Sequence, residues 1–309
     1  LYEILAGQNP TEFTPKWVAK HNAIIHVEPA SYDSYHALFN YYNGTRQVDK
    51  AYCVARTLAF LKQANAQEQA VLAQFPATGL KGLAKKLDDA TIINHILPAE
   101  QSRSVTSLMN LLVRPLANWR AVGLMGSFTS QDPVNLNYDS FDTSKALLYI
   151  LGALGCQAPR VYYLPNESGN LRMMNVTQGG QAFSVFVVTR TLLKAQVGMP
   201  DRVFTLARHC LDLFGPHLAF QAIGRSTGNL SELIAACRQV AGHPSSDRSA
   251  GVAAAVSELN KVPGPRRAQL KQIVDKMVAD GEVVDVKAWA HGASLAGYRF
   301  GLLLCDDLG

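Results

Sequence analysis

The chain reads as a mainly α protein with a small β-sheet, an α+β fold. Two observations predict this. Residues 1–75 carry helical spacing of apolar side chains with helix start and stop residues at short intervals, and residues 76–155, less regular, hold further helical stretches. Residues 160–189 then switch to short runs rich in β-branched and aromatic residues, separated by turn residues, before helical spacing resumes to the end. Three segments follow: 1–75, helical and repeat-like; 76–155, a helical connecting region; and 156–309, an α+β domain.

Taken in order, Thr14-Pro15-Lys16-Trp17 places a cap and a first-turn proline at the start of a helix that runs to about Val27 and stops before Glu28-Pro29. A second helix spans about Ser31 to Tyr42 and stops at Asn43-Gly44, and a third spans about Val48 to Ala64. This pair resembles a tetratricopeptide repeat, a helical hairpin with a period of about 34 residues. Tyr35, Leu38 and Tyr42 stand at the bulky first-helix positions, and Ala51 at the small second-helix position that lets the two helices approach. Pro29 falls where a preceding repeat closes. Trp17 stands where that repeat needs a small residue, so about one and a half repeats are visible. A generic helical hairpin fits the same residues. Stacked repeats need neighbours to cover their faces, so the expectation is of further repeats before Leu1 and of a chain cut from something longer.

Further helices are expected at Thr91 to Leu97, Ser102 to Val122 and Phe141 to Leu154, the last stopped by Gly155; Gly123 to Pro133 is expected as loop. Strands follow at Arg160 to Leu164, Leu171 to Val176 and Ala182 to Thr189, with a turn at Gln178-Gly179-Gly180. A short helix is expected from Thr189 to Lys194. A long one runs from Asp201 to Leu213, where Gly215-Pro216 ends it and leaves His217 in a turn. Helices at 229–242, Val252 to Asn260, Arg266 to Ala279 and Val286 to Leu304 complete the chain. Gly292, Gly297 and Gly301 in the last of these predict close helix packing.

Composition narrows the function classes. With 48% hydrophobic and 17% charged residues, 309 residues make a sizeable core and exclude global disorder. The net charge of +5 is dispersed, with no long basic run, which argues against nucleic acid as a partner. No apolar run reaches the ~18–20 residues of a membrane span. Five widely spaced cysteines without a CxxC pair suggest buried free thiols in a reducing, cytoplasmic compartment. No GxGxxG, GxxxxGK or Gly-x-Ser-x-Gly pattern occurs, so no cofactor is expected.

The stretch Asp201 to His217 and the later Ser294-Leu-Ala-Gly-Tyr-Arg299 resemble the zinc helix and the third-ligand helix of gluzincin metallopeptidases of the CAAX-protease and heat-shock-protease type. Val187-Val-Thr-Arg-Thr-Leu-Leu193 is similar to the strand end that precedes that zinc helix. The resemblance implies a scaffold whose chemistry is gone. A working site carries His-Glu-x-x-His, two histidines one turn apart on one metal with a glutamate that activates water. Here His209 holds the first histidine position, Cys210 replaces the glutamate and Leu213 the second histidine. Ser294 replaces the ligand glutamate and Tyr298 a following aspartate. The chain as a whole also resembles the C-terminal region of large bacterial tetratricopeptide-repeat proteins of unassigned activity, through Tyr35-His-Ala-Leu-Phe39, the run Asp49 to Leu61 and the run Gly301 to Leu308.

The expected function is a non-catalytic protein–protein interaction or scaffold protein. It captures a protein partner through its helical repeat surface and carries a pseudo-peptidase domain. Oligomerisation is compatible with this. Two alternatives stay open: a metal-dependent hydrolase with a rearranged site at His209, Asp212 and His217, and an obligate structural subunit of a larger assembly. Cys210 beside His209 is a poor nucleophile–base pair, because neighbours on a helix point about 100° apart.

Overall fold

A computed structural model describes residues 9–75, 86–99, 101–117, 122–123, 133–169, 171–178, 181–194, 196–243 and 247–305. The architecture is mainly helical with a small mixed sheet, as the sequence predicts. The chain divides near residue 78 into two compact units.

The described residues of the first unit form four helices: α1 (Pro10–Val27), α2 (Tyr32–Gly44), α3 (Val48–Phe60) and α4 (Ala66–Gln74). Helix α1 begins a turn before the expected Thr14, because Pro10 takes the first helical position, where its missing N–H costs no bond. Leu38, Phe39 and Tyr42 of α2 are buried against Ala51 and Ala55 of α3. Tyr35 is half-buried. Trp17 packs on this core edge-to-face with Tyr41, 5.7 Å between ring centres. Helix α2 ends at Gly44, at the expected Asn43-Gly44 stop, but the left-handed residue of the turn is Arg46 (φ 57°) rather than the glycine. Helix α3 ends at Phe60, short of the expected Ala64, with Lys62 left-handed (φ 58°).

Helix α4 is an addition to the sequence reading. Asn65 caps it by accepting from the N–H groups of Gln67 and Glu68, and the Glu68 carboxylate accepts the Asn65 N–H at 2.7 Å. The fully buried Glu68 also meets His36 Nδ1 at 2.6 Å, which ties α4 to α2.

The second unit opens with α5 (Asp89–Thr91), which continues as a π-helical turn, Ile92–Ile96. Helix α6 (Arg103–Ala117), strand β1 (Val122–Gly123) and helix α7 (Asp142–Leu154) follow. The expected helix to Val122 is described from Arg103 to Ala117, and Val122-Gly123 is extended; residues 118–121, like most of the loop expected at Gly123 to Pro133, lie outside the described residues. Gly155 ends α7 in the left-handed conformation (φ 63°), the role its position predicts.

The sheet comprises β1, β2 (Arg160–Leu164), β3 (Leu171–Gln178) and β4 (Gln181–Thr189) in the order β1-β3-β4-β2. Strands β3 and β4 are antiparallel from Leu171↔Val188 to Gln178↔Gln181. Strand β2 runs parallel to β4, and β1 pairs in parallel with Val176 and Thr177 of β3. Val185 to Val188 of β4 are buried on both faces, which explains a strand that reads as a continuous apolar run.

Eight further elements complete the unit: α8 (Arg190–Leu193), α9 (Met199–Cys210), a 3-10 turn (Leu211–Leu213), α10 (Gly215–Ala222), α11 (Thr227–Val240), α12 (Ala250–Asn260), α13 (Gly264–Ala279) and α14 (Val286–Cys305). Gly215-Pro216 was expected to close a helix. It opens α10 instead, with Pro216 in the first turn, so His217 is helical and buried rather than in a turn. The expected helix to Leu213 tightens into the 3-10 turn after Cys210.

Helix α14 joins two cores. Trp289 and Ala293 pack with α6, α10 and α11, while Ala296, Phe300 and Leu304 pack with the sheet, α7 and α9. Gly297 and Gly301 lie against the carbonyl oxygens of Arg208 and Phe204, so the close packing expected of these glycines is real. The expectation for the cysteines holds for Cys210 and Cys237. Cys156 and Cys305 are half-buried and Cys53 is exposed. Among the described residues no helix is long and apolar enough to cross a membrane.

Candidate functional site: an arginine-lined cavity

A cavity of about 510 Å³ lies where β3, α9, α10 and α14 meet. The β3 residues Leu171 to Met174 form one wall, and Ala293, Ser294 and Tyr298 of α14 form another. Arg208 and His209 enter from the last turn of α9, Asp212 from the 3-10 turn, and Gln221 and Arg225 from the end of α10 and the turn after it.

Local structure aims these side chains. The glycine contacts bring α14 backbone-close to α9, which sets Tyr298 over Arg208: the guanidinium lies 4.9 Å from the ring centre and donates to Tyr298 Oη at 3.3 Å. Its other nitrogen donates to His209 Nε2 at 3.3 Å; an arginine can only donate, so that imidazole nitrogen accepts. After α10, Gly224 (φ 75°) and Arg225 (φ 52°) are both left-handed and reverse the chain, with the Arg225 N–H bonded to the Phe220 carbonyl. This turn points Arg225 at Asp212, and Nη1 reaches Oδ1 at 2.7 Å and Oδ2 at 2.6 Å. Gln221 Nε2 donates to the Met173 carbonyl at 2.8 Å and ties α10 to the sheet.

Three arginines (172, 208 and 225) face one carboxylate across this cavity. Arg172 pairs with Glu167 outside it, and Arg225 with Asp212. Among the described residues Arg208 has no carboxylate partner. Burial pushes the Asp212 carboxyl up to about 6 although Arg225 pulls it down. Burial, and then the charges of Arg208 and Arg225, push His209 down to about 4, so its ring is neutral at neutral pH.

The cavity brings together four of the residues singled out from the sequence, His209, Asp212, Ser294 and Tyr298. It excludes three. Cys210 is fully buried in the core beside the sheet, and burial pushes its thiol well above the ordinary range. Leu213 packs on that same core. His217 lies inside α10, 2% exposed, with Nε2 3.3 Å from Gln101 Nε2 and its ring edge-to-face with Phe214 and Trp289. The rearranged trio His209, Asp212 and His217 therefore does not converge. Asp212 is held by Arg225, and His217 faces the core. Among the described residues no three His, Cys, Asp or Glu side chains group as metal ligands. The arginines were not singled out from the sequence. They come from β3, α9 and the turn after α10, and only the fold makes them neighbours.

Burial, with a smaller contribution from Arg225, pushes His217 down to about 3 from an ordinary 6.5. The folded protein keeps this ring neutral while the unfolded chain protonates it. Its contribution is thus present above pH 6.5 and is lost as pH falls towards 3. A His217→Phe variant should flatten the acid limb of stability by up to one proton, about 1.4 kcal/mol per pH unit. Urea midpoints at pH 7, 6 and 5 measure it; an unchanged slope would refute the assignment.

The fold and site define an α+β protein with a cationic cavity between sheet and helices. Compared with family models, with curated proteins and with solved structures, the chain matches none.

Proposed function

We propose that the protein acts by binding rather than by catalysis, as a protein–protein interaction or scaffold protein whose second unit is a peptidase-like domain without metal chemistry. One observation carries this reading. At the position where the gluzincin pattern places its first metal-binding histidine, His209 Nε2 accepts a hydrogen bond from the guanidinium of Arg208. A divalent cation there meets a fixed positive charge, Arg225 adds a second, and Ser294 offers no carboxylate on the facing helix. A catalytic zinc needs about three protein ligands and an open position. The helices of the first unit, with a shallow groove flanked by Val18, Tyr41 and Lys50, are the surface we assign to a protein partner, by analogy with stacked helical repeats. A cytoplasmic setting with reduced thiols completes the reading.

Metal content by plasma mass spectrometry, together with hydrolysis of labelled casein, tests it on the full chain. Substoichiometric metal and no hydrolysis above buffer are expected. About one zinc per chain, with hydrolysis that His209→Ala removes, would overturn it.

A further inference from the structure

We infer that the cavity between β3, α9 and α14 is a carboxylate-binding site, with Arg208 as the anchoring group for an acidic side chain or a free C-terminus of a bound peptide. This rests on the non-catalytic reading above and gives it a ligand class. Four observations support it. The Arg208 guanidinium lines the cavity with no carboxylate of the described residues on it, while each of the other two lining arginines already has one. It is held in place before any ligand arrives, by the ring and hydroxyl of Tyr298 and by His209. A planar, pre-positioned guanidinium suits the two oxygens of a carboxylate. Asp212, the single lining carboxylate among the described residues, is occupied by Arg225, so the described lining keeps an excess of positive charge. A volume of about 510 Å³ admits a short peptide segment.

Fluorescence polarisation on the full chain tests this with three fluorescein-labelled octapeptides of glycine, serine, alanine and valine. One has a free C-terminus, one is amidated and carries a single glutamate, and one is amidated and neutral. Binding by either carboxylate peptide and not by the neutral one is expected, and which of the two binds identifies the source of the carboxylate. Affinity should fall about tenfold in Arg208→Gln, the scale of one lost charge-assisted hydrogen bond, and about threefold in Tyr298→Phe, which keeps the ring but removes the acceptor. Added salt should weaken binding. Arg208 is half-exposed, and matching thermal melts confirm that its variant folds. Equal binding of the neutral peptide, no binding of either carboxylate peptide at millimolar concentration, or an unchanged affinity in both variants overturns the site. Mass spectrometry of the recovered peptides separates the two readings. A cleaved peptide overturns the non-catalytic function, and an intact but unbound peptide overturns the carboxylate site alone.

Discussion

Replacing Gly301 or Gly297 with alanine is expected to destabilise the second unit by roughly 2–3 kcal/mol each, the upper range for an overpacked core. A Cβ at Gly301 would stand 2.9 Å from the Phe204 carbonyl oxygen and 2.8 Å from its ring; one at Gly297 would stand 2.7 Å from the Arg208 carbonyl oxygen. These oxygens belong to α9, whose Leu206, Ala207 and Cys210 are fixed in the core, so the helix cannot retreat without disturbing that packing. A fall in melting temperature of roughly 5–10 °C follows for a unit of this size. Gly292→Ala should cost less, because its Cβ would meet the side chains of Pro98 and Gln101 at 3.1 and 3.2 Å rather than backbone. Gly152→Ala should change sign and stabilise by about 0.5–1 kcal/mol, since it lies in the exposed face of α7 with open space around it. Calorimetric melts of the four variants decide the matter. Equal melting temperatures for Gly301→Ala and Gly152→Ala would contradict the packing described. The Gly297 contact also sets Tyr298 against Arg208, so Gly297→Ala should weaken peptide binding even in the fraction that folds.

Arg202→Ala is expected to be the most damaging single substitution, on the order of 3 kcal/mol or more. Arg202 is 3% exposed, and among the described residues its guanidinium has no carboxylate partner. Instead it donates to Thr143 Oγ1 at 2.7 Å, to the Leu192 carbonyl, and to the carbonyls of Lys194 and Val197 at 3.0 Å each. Thr143 itself donates to the Leu192 carbonyl at 2.7 Å. One side chain therefore satisfies the backbone of the segment between β4 and α9 and fastens it to α7. Removing it takes the donor from Thr143 Oγ1 and from the part-buried carbonyls of Lys194 and Val197, while the Leu192 carbonyl keeps its Thr143 donor; the cost is about 1–3 kcal/mol for each acceptor that water cannot reach. Arg202→Lys should recover only part of the loss, because an ammonium lacks the fork that spans these acceptors. Urea unfolding of both variants measures this. An Arg202→Ala midpoint within error of the parent would mean that water replaces the guanidinium and that the network has little weight.

The sequence made some of this legible and hid the rest for physical reasons. The β-branched run from Phe183 to Val188, the stop at Gly155 and the glycine spacing in α14 report their structures directly, because each is a local or periodic property. Helix α4 was also legible. Asn65 followed by Glu68 is a capping box, but the short, polar helix behind it has little periodicity to draw the eye. Gly215-Pro216 is ambiguous by nature, since the same pair ends one helix and begins another; the 3-10 turn before it settles which. The cavity is the least legible feature. His209 could be picked out from the resemblance to a zinc helix, and Ser294 and Tyr298 from the resemblance to a third-ligand helix. Arg208 and Arg225 carry no pattern of their own, and they matter only because a left-handed turn and two glycine contacts bring them together.

The strand order has a consequence for how the protein keeps to itself in a crowded solution. With β3 and β4 inside the sheet, the backbone groups open to another chain lie on the outer side of β2 and, at the other edge, on β1 and the part of β3 that the two-residue β1 leaves uncovered. Strand β2 is five residues long, begins at Arg160, is followed by Pro165, and has its Val161 carbonyl taken by the N–H of Val134. Strand β3 is engaged by β1 at Val176 and Thr177 and by Gln221 at Met173. Among the described residues neither side offers the long, flat, unpaired edge on which strands of separate molecules add to one another and aggregate.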